Sequence, residues 1–122
     1  MRNSKDIETA LYERLSISGY SASAHAVPPD LGNTFPHVHV IRTGGYEKDL
    51  VIEINRVDFD VYAADPADAM EAACVLCGWI RELTGDFCYN SEIYTLPYSN
   101  PDPRHPNIAR ATVKAQIVTR TI

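Results

Sequence analysis

Residues 50–62, Leu-Val-Ile-Glu-Ile-Asn-Arg-Val-Asp-Phe-Asp-Val-Tyr, constrain the fold more than any other stretch of the chain. Apolar β-formers alternate with polar residues at a period of two, the pattern of a strand with one face against a core. In the late half Val57, Phe59 and Val61 share one face, and Arg56, Asp58, Asp60 and Tyr62 share the other. In the early half Ile52 and Ile54 have the opposite parity. One unbroken alternation cannot bury both sets, so the pattern predicts a bulge or a loop-to-strand boundary near Asn55.

A strand of this kind needs paired neighbours and a covering layer. Asp65-Pro66 directly after it predicts a helix start, with Asp65 as N-cap, Pro66 in the first turn and Asp68 at the positive end of the dipole. Met70, Ala73, Cys77 and Ile80, continued by Leu83 or Trp79, form its buried stripe, and Gly85 ends it. An earlier helix is expected from Lys5 to Leu15, with Ile7, Leu11 and Leu15 as its stripe, helped by Ala10. Asn3 or Ser4 is its expected cap, Asp6 and Glu8 suit its dipole, and Gly19 marks its exit. A short strand is read from Tyr20 to Val27, with Ala22, Ala24 and Ala26 opposite Ser21, Ser23 and His25. Pro28-Pro29-Asp30, Gly32-Asn33 and Pro36 then make a rigid loop.

His37 to Arg42 is a strand with Val38 and Val40 on one face and His37, His39 and Ile41 on the other, broken by Gly44-Gly45. Ile93 to Leu96 is a further strand, after which Pro97, Pro101, Pro103 and Pro106 interrupt regular structure. Ala109 to Ile122 is a final strand with Ala111, Val113, Ala115 and Ile117 inward and Thr112, Lys114, Gln116 and Arg120 outward. The chain, 1–122, is therefore read as one α+β domain in the order α-β-β-β-α-β-β. Two helices pack on one face of a mostly antiparallel sheet, and the polar face is left to solvent or a partner subunit.

Bulk properties narrow the function classes. The 122 residues suit one domain, and 45% hydrophobic with 22% charged residues is ordinary for a globular chain. A net charge of -5 gives no bulk attraction to nucleic acid phosphates. No apolar run approaches the roughly 20 residues of a membrane span, and the N-terminus lacks the apolar segment of a signal peptide. With an odd cysteine count of 3, this predicts free thiols in the cytoplasm.

Motifs that carry chemistry are weak. Cys74-x-x-Cys77 has the spacing of a redox pair or zinc knuckle, but both residues fall inside the main helix and no second pair follows. Cys77 is expected buried, Cys74 at least partly so, and Cys88 lies beyond the helix end. His37-x-His39, with His25 and His105, could gather a transition metal, although strand-face histidines are more often simply exposed. Asp58 and Asp60 could hold magnesium in a hydrolase, but Arg56 beside them suggests cross-strand ion pairing. The chain has no Gly-x-Ser-x-Gly elbow, phosphate loop or His-Glu-x-x-His motif. No catalytic residue, cofactor or metal ligand is assigned, and the expectation is a protein that is not an enzyme.

An ordered set of features carries a resemblance. An N-terminal helix and strand lead into Val27-Pro28-Pro29-Asp30, followed by Pro36-His37-Val38-His39-Val40. After a glycine-containing loop, Val57-Asp58-Phe59-Asp60-Val61-Tyr62-Ala63-Ala64-Asp65 runs straight into a helix, and Asn100-Pro101-Asp102-Pro103-Arg104 precedes the terminal strand with Val113, Ile117 and Val118. Together these resemble the tail-terminator, or tail-completion, proteins of siphophages.

The resemblance implies a structural subunit that forms a homo-oligomeric ring, commonly a hexamer. The ring caps the tail tube protein, stops elongation and meets the head-side connector or stopper protein. DNA would pass through without specific binding, and no membrane is involved. The implied location is the host cytoplasm during assembly and then the tail–neck junction of the virion. A head-completion or head–tail joining protein is the nearest alternative. From other classes, a small metal-dependent hydrolase and a monomeric binding domain remain open. Partner contacts are expected on two loops, Thr43 to Asp49 with Tyr46, Glu47, Lys48 and Asp49, and Pro97 to Pro106 with Tyr98, Arg104 and His105, while the sheet supplies subunit contacts.

Overall fold

The computed structural model describes residues 6–29, 31, 34–49 and 51–120. Its elements are α1 (Ile7–Ile17), β1 (Ser21–Ala24), β2 (His37–Glu47), β3 (Ile52–Ala63), α2 (Pro66–Arg81), β4 (Asn90–Ser99) and β5 (Ala109–Arg120). Among the described residues five strands form one sheet in the order β1-β2-β3-β5-β4. The β1–β2 pair is parallel and the others are antiparallel, so the architecture is the expected α+β one with helices packed on a sheet.

Both helices cover the face that carries Val38, Val40, Val57, Phe59, Val61, Val113, Ala115 and Ile117, and their apolar stripes join these strand residues in one core. Asp65 caps α2 by accepting the Asp68 N–H at 2.9 Å, with Pro66 as the first helical residue. The stripe of α2 is rotated from the expected one. Ala69, Ala73, Leu76, Cys77 and Ile80 are buried, whereas Met70 is only half-buried. Ala69 and Ala73 are small enough to let the helix lie close to the sheet, and Met70 turns to its flank. Leu83 continues the stripe, and Trp79 lies at its edge. There it meets Phe59 and Tyr20 edge-on and donates from Nε1 to Ser18 Oγ at 3.0 Å.

Helix α1 keeps its stripe of Ile7, Leu11 and Leu15 but starts later than expected. Asp6, not Asn3 or Ser4, is the cap and accepts from the Glu8 and Thr9 N–H groups. Lys5, Asn3, Ser4, Asp30, Gly32, Asn33, Leu50, Thr121 and Ile122 lie outside the described residues. The first strand is shorter than the Tyr20 to Val27 expectation. It ends at Ala24 because His25 takes a positive φ of 69° and turns back to the α1 N-terminus. There its ring lies 3.3 Å from Asp6 Oδ2 and 3.3 Å from Glu8 Oε1.

The parity change near Asn55 has a different origin from the one expected. β3 runs unbroken against β5, from Ile52 opposite Arg120 to Ala63 opposite Ala109. The bulge is on β2, between Arg42 and Gly44, where Thr43 is the extra residue. Gly44-Gly45 therefore does not break the strand; it lets β2 continue to Glu47. Gly45 has φ +142°, and a Cβ there would come within 2.1 Å of Ile54 O, so no side chain is tolerated. The faces of β3 simply exchange polarity along its length. Asn55 and Glu53 continue the Val57 face as buried polar residues, while Ile54 lies on the other face between Tyr46 and Val118.

At the opposite edge, β4 runs through Pro97 to Ser99, well beyond Leu96. Its register with β5 shifts between Ile93 and Thr95 and again between Thr95 and Tyr98. An edge strand with bulges tolerates proline because one row of its backbone groups has no ladder to complete.

The cysteines divide. Cys77 and Cys88 are buried, and burial pushes both thiols up, away from the reactive thiolate. Cys74 is exposed, contrary to the expectation of partial burial, because it falls on the solvent side of the rotated stripe. In denaturant unfolding Cys74→Ser is expected to stay within about 0.5 kcal/mol of the parent, while Leu76→Ala loses about 2–5 kcal/mol. A large loss from Cys74→Ser would place that side chain in the core.

Candidate functional site

The sheet face away from the helices was expected to meet solvent or a partner subunit. One half of it is instead a buried polar cluster, closed by the proline-rich segment 100–108. β2, β3 and β5 bring His39, Asp60 and Thr112 into one row, and His37, Tyr62 and Arg110 into the next. Thr112, named as outward, is 1% exposed, and His37 and His39, named as exposed, are 4% and 6% exposed. Period alone places them on the correct face, but their partners are distant in sequence: Ser21 and Ser23 beside the histidines and Asp60 beside Thr112.

Asp102 anchors the segment. Its side chain is 2% exposed and accepts from the Tyr62 hydroxyl at 3.1 Å and from the Arg104 N–H at 3.0 Å. Arg110 lies between two carboxylates, 3.4 Å from Asp102 Oδ2 and 3.6 Å from Asp60 Oδ2. It also donates to Asn100 O at 2.6 Å. Burial alone would raise the Asp102 carboxyl, but the Arg104 N–H, the Tyr62 hydroxyl and Arg110 together hold it below its ordinary value. Burial wins at Asp60 and raises its carboxyl, against the pull of the Thr112 hydroxyl at 2.8 Å and of Arg110.

On the β1 side Ser21 and Ser23 reach the two ring nitrogens of His37, each at 2.8 Å, and Ser23 also reaches His39 Nδ1 at 2.7 Å. Burial lowers the His39 imidazole, with partial opposition from the carboxylates of Asp60 and Glu8. Asp58 makes the cross-strand ion pair that the sequence suggested, but with Lys114 at 2.9 Å rather than with Arg56. Arg56 sits instead 5.9 Å from the centroid of the Tyr94 ring. Among the described residues no group of three or more His, Cys, Asp or Glu side chains is gathered to hold a metal ion.

The seven expected contact residues fall into two separate places. Tyr46 and Glu47 are strand residues of β2, opposite Ile54 and Glu53, so the expected loop Thr43 to Asp49 is for the most part the end of a hairpin. Lys48 and Asp49 form its turn. The Lys48 N–H donates to Ile52 O at 2.9 Å, and Asp49 Oδ1 accepts from the N–H groups of Val51 and Ile52. Tyr46 is 60% exposed at this rigid end. Tyr98 is half-buried on β4, and His105 is half-buried with its ring edge-on to Tyr62 at 6.2 Å. Arg104 is exposed, its Nε 3.4 Å from Asp102 Oδ1. Sequence reasoning did not single out Arg110 or Glu53, and it marked Asn55 only as a bulge or boundary position. They occupy ordinary strand positions, and their roles arise from partners on other strands.

A scan against protein-family models gives no match to the chain, and a search of curated proteins gives none either.

Arg110→Met is expected to leave the Asp60 carboxylate without its cation and Asp102 with only the exposed Arg104 beside it, and to cost about 3–5 kcal/mol in denaturant unfolding. A loss below about 1 kcal/mol would show the pair to be solvated. His39 gives a pH signature. Its folded-state value lies below the ordinary 6.5, so its contribution is whole above 6.5 and is lost as pH falls from there through the lower folded value. Between about pH 7.5 and about pH 5.5 the thermal midpoint of the parent should fall more than that of His39→Gln. Parallel curves would remove His39 as the cause.

Proposed function

We propose that this chain is a tail-terminator subunit. It forms a homo-oligomeric ring, in the hexameric form usual for such proteins, which caps a siphophage tail tube, stops its growth and meets the head-side connector. The observation that carries the reading is where the resembling segments sit. Pro36–Val40 leads into β2 and Val57–Ala63 completes β3, its neighbour, while Asp65 caps α2 and residues 100–104 fold back onto β3. Segments that look separate in the sequence thus form one continuous structural unit.

The exposed groups support a binding role. The hairpin end presents Tyr46, Glu47 and Lys48 from two long paired strands, so little order is lost when a partner docks. Arg104 stands on a segment stiffened by prolines and held by Asp102. A ring of subunits each carrying a net charge of -5 repels DNA phosphates, which favours passage over retention.

The test is tube length. Purified chain added to polymerising tail tube protein should give tubes of limited length. Tyr46→Ala with Lys48→Glu should fold and leave growth unchecked. Point changes are preferable to deleting Gly45 to Lys48, which would unpair Asn55, Ile54 and Glu53 on β3. If the unaltered chain leaves the length distribution as it was without it, the reading is wrong.

A further inference from the structure

A groove opens beside α2 at the end of the β2–β3 pair away from the hairpin turn. Tyr20, Phe35 and Pro36, from the segments that lead into β1 and β2, line it together with Ala72 and Val75 of α2, around a volume of about 370 Å³. Val75 is 62% exposed near the middle of the helix. Asp68 and Glu71 stand at the same groove, and among the described residues no Lys, Arg or His lines it. Along α2, Asp68, Glu71, Ala72, Val75 and Trp79 recur every three or four residues, so they share one flank beside the buried stripe.

The two acids are not used within the chain. Asp65 is engaged as the cap of α2, but among the described residues neither Asp68 nor Glu71 makes an ion pair. The Asp65 charge raises the Asp68 carboxyl above its ordinary value, and Glu71 adds to this, as like charges do where no counter-charge is near. The positive end of the helix dipole favours acids in the first turn, which accounts for Asp65 and Asp68. It does not account for Glu71 in the second turn, or for an exposed valine one turn further on.

We propose that this groove takes a segment of a partner protein in which apolar side chains lie between lysines or arginines. The apolar side chains fill the space lined by Phe35, Ala72 and Val75, and the basic ones meet Asp68 and Glu71. The same acidic edge repels nucleic acid and anionic lipid, so a protein segment is the occupant whose charge fits. The proposal is independent of the tail-terminator reading, because it concerns the other end of β2 and β3 from Tyr46 and Lys48.

Trp79 provides the readout. It is the only tryptophan of the chain, follows Val75 by one turn, and has its ring centroid 6.0 Å from that of Tyr20. The full chain is titrated, with Trp79 fluorescence as the signal, with a short peptide that has leucine and phenylalanine between pairs of lysines. The same peptide with glutamates for lysines is the comparison, and circular dichroism confirms that each variant is folded. The lysine peptide should bind, and the glutamate peptide should bind about tenfold more weakly or less. Val75→Lys, and the near-isosteric pair Asp68→Asn with Glu71→Gln, should each weaken the lysine peptide by about tenfold. Leu96→Lys, which adds the same charge at an exposed position on β4, should leave binding as it is. The proposal is overturned if the unaltered chain does not bind the lysine peptide, if the glutamate peptide binds equally well, or if folded Val75→Lys binds as the unaltered chain does. It is overturned too if sedimentation velocity shows the unaltered chain self-associating and Val75→Lys monomeric, because the occupant is then a second copy. None of these outcomes touches tube length, so the tail-terminator reading is decided by its own test.

Discussion

β3 is the constraint on which the other elements depend. It is hydrogen-bonded along its length to β2 on one side and β5 on the other, so its register sets the register of both. Its odd-numbered residues Val57, Phe59 and Val61 hold the core against the helices, and Trp79 of α2 meets Phe59 edge-on. A slip of one residue would send Asp58 and Asp60 into that core and expose Phe59. The bulge at Thr43 lets β2 follow β3 past Asn55 without such a slip, and Gly45 allows it because any side chain there would strike the Ile54 carbonyl.

The second face of the sheet follows from the same register. Once Asp60 and Tyr62 point away from the helices, they need partners, because a buried charge without a counter-ion costs several kcal/mol. Arg110, delivered beside Tyr62 by the β3–β5 pairing, lies between Asp60 and Asp102. Asp102 in turn fixes the segment that shields the cluster. The segment and the cluster therefore hold each other in place, and the prolines on either side of Asp102 reduce the entropy lost in ordering it.

The contrast between the interior and the two exposed ends bears on the proposed assembly role. Nearly all the buried polar groups of the second face find donors or acceptors within the chain, so that region is structural. The hairpin end and the β4 edge retain the exposed side chains of Tyr46, Val51, Tyr94 and Leu96. Surfaces of that kind are the ones through which copies of a chain recognise one another.

The element order, the Asp65-Pro66 helix start, and the inward face shared by Val57, Phe59, Val61, Val113 and Ile117 were legible in the sequence. They depend on local caps and on periods of two and of about 3.6 residues, which are written within a few consecutive residues. The α2 stripe was misplaced by one residue at Met70 because period alone does not say that Ala69 and Ala73 are the side chains small enough for close approach to the sheet. The parity change at Asn55 was visible, but its cause sat on another strand, and only pairing could show that β2 carries the extra residue. The parallel β1–β2 pair, the insertion of β5 between β3 and β4, and the burial of His37, His39, Thr112 and Asp102 were decided by the tertiary structure. Each depends on which distant segments become neighbours. A residue's exposure and its counter-charge are properties of those neighbours, not of its own place in the chain.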